Sequence, residues 1–235
     1  MKNDPTQSGS VLLYILIAVM LFAALSYTVA QMMKSGNPGT VSEEKSFLMA
    51  DDLMNFGRAV RQAVQTMKIS NGCTDTAISF ENSFMSGYAH TPAASPSCQI
   101  FNAAGGGIQY VTPNKEWLNT DFQGNVHFGR YFLSGANAFE GVGTPAADLV
   151  LLLPFLKSNL CAAINRKLGN TQSTDPMPED GLNVTAPVFT GSYSTTPLNP
   201  GAVASSSALR GKMAGCLDNI LGATGLVYYQ VLIPR

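Results

Sequence analysis

The sequence predicts an α+β protein: a long N-terminal transmembrane helix, broken and continued as an amphipathic helix packed on a mainly antiparallel β-sheet, with additional short helices. Three observations predict it. Residues 11–30 carry no charge. Apolar residues recur in three- and four-residue steps over residues 47–67, and short β-like runs divided by Gly, Pro, Asn and Ser fill most of the remainder. The expected division is a leader over residues 1–9, a stem helix over 10–35 and an α+β head over 40–235.

The first element follows from length. Twenty uncharged helical residues at about 1.5 Å each reach about 30 Å, the thickness of a bilayer core. A cleaved secretory signal would have a shorter apolar run, a clearly basic start and a small-residue cleavage site; the leader holds only Lys2 and Asp4. Orientation by charge therefore favours a cytoplasmic N-terminus only weakly. Lys34-Ser35-Gly36-Asn37-Pro38-Gly39 breaks the helix, because glycine and proline both disfavour a helical interior. Thr40-Val41-Ser42-Glu43 has the form of a capping box and opens the second helix. Its inward stripe is Phe47, Leu48, Leu53, Phe56, Val60, Ala63, Val64 and Met67, and Ser70-Asn71-Gly72 ends it.

Strands are expected at residues 99–101, 108–111, 126–133, 148–153 and 226–233, with Ala104-Gly105-Gly106-Gly107 as a tight turn between the first two. Pro154 suits the first turn of a helix running to Leu168, with Gly169 in the stop position. A further helix is expected over residues 205–220, with Leu209, Met213, Leu217 and Ile220 inward. Residues 170–204 are rich in Thr, Ser, Pro, Gly and Asn and read as a long surface excursion.

Four cysteines stand at Cys73, Cys98, Cys161 and Cys216, none in a C-x-x-C pair, with His90 and His127 the only histidines. That pattern argues against zinc. In an oxidising compartment an even count implies disulfides, and three pairings are open. Cys73 with Cys98 and Cys161 with Cys216 is favoured, because each pair then closes a segment of its own. The second bond would staple the helix ending at Leu168 to the helix over 205–220.

A formal net charge of -1, with no basic run interleaved with aromatics, excludes a nucleic-acid partner. No G-x-S-x-G elbow, H-E-x-x-H helix or P-loop is present. His127 falls in an alternating run and His90 in a loop, and neither has the partners of a general base. Asp175, Glu179 and Asp180 are the one acidic group in the long loop, and Pro176 and Pro178 break calcium-loop spacing. No catalytic residue, metal or cofactor is expected.

Gly9-Ser10-Val11-Leu12-Leu13-Tyr14, continued by Ile15, Leu16 and the rest of the apolar run, resembles the start of the type IV pilins and type II secretion pseudopilins. The resemblance covers roughly the first 65 residues. It implies that a prepilin peptidase cuts between Gly9 and Ser10 and that the new N-terminal residue is methylated. It also implies assembly through Val11, Leu12, Leu13, Tyr14, Ile15 and Leu16 with other pilin-like subunits. The family usually begins with Phe or Met and carries Glu four residues later; this chain has Ser10 and then Tyr14. That departure is similar to minor members, including those placed at filament tips.

The expected function is thus a structural subunit, not an enzyme, that works by assembly. It would sit in membrane lipid as an inner-membrane single-pass protein with its head in the periplasm, or in a cell-surface filament. Ala18, Ala23, Ala24, Ser26 and Ala30 would let neighbouring stems approach closely. The alternative is a membrane-anchored periplasmic binding domain that joins no filament. Residues 170–204 and 121–125 are the head surfaces expected to carry recognition.

Overall fold

Pro38 is the first residue of α2 (Pro38–Ser70), the helical position at which a missing N–H costs nothing. Thr40 to Glu43 therefore lie inside the helix and do not cap it. A computed structural model describes residues 9–34, 38–172, 175–182, 188–196, 208–219 and 225–235, with the side chains of 9–11, 29–34 and 38–41 left aside. The leader at 1–8 and the break at 35–37 lie outside the described residues. The chain forms two units, Met1–Glu44 and Lys45–Arg235.

In the first unit, α1 runs Gly9–Lys34. The expectation that it crosses a bilayer is overturned. Among the described residues no helix is long and apolar enough to cross a membrane.

The second unit holds a mixed five-stranded sheet: β1 (Phe132–Asn137), β2 (Asp148–Leu153), β3 (Glu179–Asp180), β4 (Ala214–Asn219) and β5 (Leu226–Ile233). Their order is β1-β2-β5-β4-β3, antiparallel except for the parallel β3–β4 pair. The sheet is covered on both faces, so β2 is buried at every residue and reads as a continuous apolar run. Leu149, Leu151, Leu153, Tyr228 and Leu232 share one core with Ala50, Leu53, Val60, Val64 and Met67 of α2 and with Leu160 and Ile164. Val150, Leu152, Val227, Tyr229 and Val231 form the other with Phe139, Leu182, Leu209 and Leu217. Leu48, expected inward, is 67% exposed; two residues from both Ser46 and Ala50, it falls on the opposite side of the helix from the stripe that Ser46, Ala50 and Leu53 trace.

The strands at 148–153 and 226–233 match expectation; the other three do not. Ser79 and Gln99 make only an isolated bridge, and Ile100 N donates to Ser79 O (2.9 Å) without extending it. Residues 108–111 form no strand. Residues 126–131 turn instead of extending, because Asn125 Oδ1 accepts from His127 N (2.9 Å) and Gly129 takes φ 73°. The glycine run 104–107 does make a turn: Gly106 N donates to Gln99 O (3.0 Å) and Ile108 N to Ile100 O (3.2 Å).

The helix expected from Pro154 starts later, as α3 (Ser158–Lys167). Phe155 has φ 64°, and Leu156 bridges to Leu118 and its N–H donates to Leu226 O (2.9 Å), so the chain bends and pairs there before the helix begins. Gly169 ends α3 at φ 65°. The helix expected over 205–220 is a correction: its described part carries β4. Gly215 decides this, because a Cβ there would lie 3.0 Å from Asn170 Nδ2, Leu209 Cδ2 and Tyr229 Cε1. Ile220 lies outside the described residues.

The excursion at 170–204 is more structural than expected. Leu182 and Phe189 are buried, Asp180 pairs in β3, and the segment covers the outer edge of β1, with Phe189 N donating to Leu133 O and Ser194 N to Gly135 O, both at 2.8 Å. Residues 173–174, 183–187 and 197–204 lie outside the described residues.

Candidate functional site

α1 places an unbroken apolar surface in the open. Every described side chain of residues 12–28 is exposed within the chain, the large apolar ones from 46% at Ile17 to 74% at Phe22. Leu12, Leu13, Tyr14, Ile15 and Leu16, expected in an assembly surface, are all on it. Thr28 turns its hydroxyl back onto Leu25 O at 2.8 Å, as helical threonines do, and so adds no outward polar demand. Gly9, Ser10 and Val11 open the helix backbone; their side chains are not described. Each large side chain moved out of water is worth about 1.5–3 kcal/mol. An exposed apolar surface of this length is a mark of an interaction site.

The two disulfides form as favoured. Cys73–Cys98 has its Cα atoms 5.8 Å apart and Cys161–Cys216 5.4 Å. The second joins α3 to β4, a helix to a strand and not two helices. Asn165 of α3 reinforces it, donating to Cys216 O (2.7 Å) and accepting from Cys216 N (2.9 Å).

On the head, the exposed large apolar side chains among the described residues of Lys45–Arg235 are Leu48, Ile69, Phe84, Val111 and Val126. Phe84 stacks on Tyr110 with ring centroids 5.4 Å apart and 18° between planes. Sequence reasoning passed over it; the signal was Asn82, whose short amide side chain fixes the turn that presents the ring. A hollow of about 410 Å³ lies between Ala138 and Pro145, lined by Phe139, Glu140, Gly141 and Gly143. A second, of about 490 Å³, lies at the start of α3 among Asn119, Phe122, Lys157, Asn159 and Asp218. Phe122, in the tip expected to carry recognition, stacks on Phe155 (4.9 Å) and is in part a packing residue.

No catalytic constellation emerges from these positions. His127 packs edge-on against Phe132 (4.9 Å) and His90 against Phe189 (6.1 Å). Burial holds His90 below the ordinary histidine range. Asp175 accepts from Gln172 N (2.6 Å), Glu179 is exposed and Asp180 is buried. Among the described residues no group of three His, Cys, Asp or Glu side chains is placed to hold a metal ion.

Asp148 is fully buried and accepts from Phe139 N (2.9 Å) and Arg235 N (2.8 Å). Burial pushes it up to about 6 against the pull of those two bonds and of the Arg235 charge. The Arg235 guanidinium lies 3.9 Å from the Tyr193 ring centroid, so this carboxylate fastens two chain segments.

No family model, curated protein or solved structure matches the chain. Function is therefore argued from the geometry.

Proposed function

We propose that the chain is a pilin-like structural subunit, of the minor type, of a type IV pilus or type II secretion pseudopilus, and that it acts by assembly without turnover. One observation carries the reading: α1 is apolar around its whole circumference and exposed at every described side chain. A helix of that kind has no stable place in water as an isolated element, and burial against further helices removes the cost. The start Gly9-Ser10-Val11-Leu12-Leu13-Tyr14 and the two disulfides are consistent with it. In this reading a prepilin peptidase cuts between Gly9 and Ser10, other pilin-like subunits cover α1, and the assembled product is a cell-surface filament.

Mass spectrometry of the mature N-terminus tests the proposal. A chain beginning at methylated Ser10 is expected. An intact Met1, or a first residue well past Leu25, contradicts it.

A further inference from the structure

We infer that the strap at 188–196 is a proton-operated cover: protonation of His90 releases it and bares the outer edge of β1. The inference concerns the head alone and goes beyond the assembly reading, which stands or falls on α1.

The strap is held between β1 and the loop that carries His90. Phe189 N donates to Leu133 O and Ser194 N to Gly135 O, both at 2.8 Å. Phe189 and Tyr193 close over Gly135, where a Cβ would lie 3.0 and 2.9 Å from their rings. On the other side Gly191, at φ 91°, rests on the imidazole: a Cβ there would lie 3.1 Å from both Cε1 and Nδ1 of His90 and 2.7 Å from Thr76 O. His90 also meets Phe189 edge-on, with ring centroids 6.1 Å apart, and Phe189 is only 1% exposed. One imidazole thus supports the strap at two residues, 189 and 191.

That support suits a neutral ring only. His90 Nε2 is buried and has no hydrogen-bond partner among the described residues. A neutral imidazole with its hydrogen on Nδ1 leaves just an unmet acceptor there, whereas the imidazolium places a charged donor at the same point. Burying a charged donor without an acceptor is far costlier, and opening the strap gives that N–H to water. Proton binding therefore favours the open form.

The surrounding charges leave that sign in place. Burial holds His90 below the ordinary histidine range, with Glu81 pulling the other way as the lesser influence. Asp75, next to the Thr76 carbonyl that meets Gly191, is paired with Lys68 at 2.6 Å. On the strap, burial raises Tyr193 above the ordinary tyrosine range, so it stays uncharged, and Arg235 stands 3.9 Å from its ring centroid with Asp148 behind. A lowered histidine value means that the closed form has its full advantage above the ordinary range and loses it as pH falls through that range. Asp148 titrates with the opposite sign, so the two groups can be told apart. Once the strap lifts, Leu133 O and Gly135 O are unpaired on an edge strand, the arrangement that accepts a further strand.

Amide hydrogen exchange of the full-length chain, read as protection factors at pH 7 and pH 5, tests this. A proton bound only in the open form, at the ordinary value of 6.5, raises the open population by at most about 25-fold over that interval. Protection at Phe189 and Ser194 is expected to fall by between about threefold and about 25-fold, while protection in β5 does not fall. His90→Phe and His90→Gln, which cannot take the charge, should abolish the fall, and Asp148→Asn should keep it. Unchanged protection in the parent, a fall that survives in either His90 variant or vanishes in Asp148→Asn, or a fall shared by β5 overturns the inference. The parent also gives a reading that needs no folded His90 variant: the His90 Cε1 proton signal, told from that of His127 by a His127→Gln variant, should titrate below 6.5, and titration at or above that value overturns the inference.

Discussion

Gly57 of α2 lies directly against Tyr228 of β5: a Cβ built on the glycine would sit 2.5 Å from the tyrosine hydroxyl oxygen and 3.5 Å from Gln230 Cβ. The absence of a side chain is what lets the helix rest this close to the sheet. Tyr228 is fully buried, with its hydroxyl 3.5 Å from Gln230 Oε1, and has little room to yield. Gly57→Ala gains helix propensity but must displace that hydroxyl, and overpacking of a tight core costs about 1–3 kcal/mol. Urea unfolding of Gly57→Ala is expected to give a lower midpoint with an unchanged slope, and Gly57→Val a larger drop.

The disulfides differ in the length of chain they close, 25 and 55 residues. In the chain-entropy account each contributes about 3 to 4 kcal/mol, the longer loop slightly more. Replacing Cys161 and Cys216 together by alanine is expected to lower stability more than replacing Cys73 and Cys98. The longer bond also holds α3 on β4 beside Asn165. Thermal unfolding of the two double variants, with and without reductant, measures the difference.

Asp148 gives the head a pH dependence whose sign is fixed by burial. Its folded value is raised from 3.8 to about 6, so the folded state holds this proton more tightly than the unfolded chain does. The contribution is fully present below about pH 4 and is lost as pH rises through 6, on the order of 2 kcal/mol across that interval. Stability measured from pH 4 to pH 7 is expected to show that decline in the parent protein. In Asp148→Asn the step should vanish, because nothing titrates there.

The outer edge of β1 is closed by side chain and loop together. Tyr88 accepts from Leu133 N at 3.1 Å, and burial pushes its hydroxyl up to about 12, so it keeps its proton throughout the neutral range. Tyr88→Phe leaves Leu133 N–H without that acceptor, at about 1–3 kcal/mol. Amide hydrogen exchange at Leu133 is expected to accelerate in this variant while exchange in β5 changes little.

How much of this was legible follows the physics of each segment. β2 and β5 could be read because strands buried on both faces leave unbroken apolar runs. α2 could be read because one face alone is buried. β4 could not, since Leu209, Met213 and Leu217 fall at helical spacing. The contrary sign was Gly215, a poor helix residue that close packing against Tyr229 demands. The run at 126–133 alternates well, but alternation carries no information on Gly129, whose positive φ turns the chain. The disulfide pairing was favoured on loop locality, although the structure holding Cys216 was misread. The length of α1 as an apolar bilayer span was overread from residues 11–30. Phe84 and the Phe139 hollow belong to no sequence motif, because a fixed loop and an open surface arise from tertiary placement.

The most direct measurement is the assembly state of the full-length chain compared with a Leu16→Lys, Phe22→Lys double variant, followed by negative-stain electron microscopy and by thermal unfolding of the head. The account predicts filaments of uniform diameter from the parent and none from the variant, with the unfolding midpoint of the head unchanged. A parent chain that stays a 24.9 kDa monomer, or a charged variant that assembles as well as the parent, would contradict it.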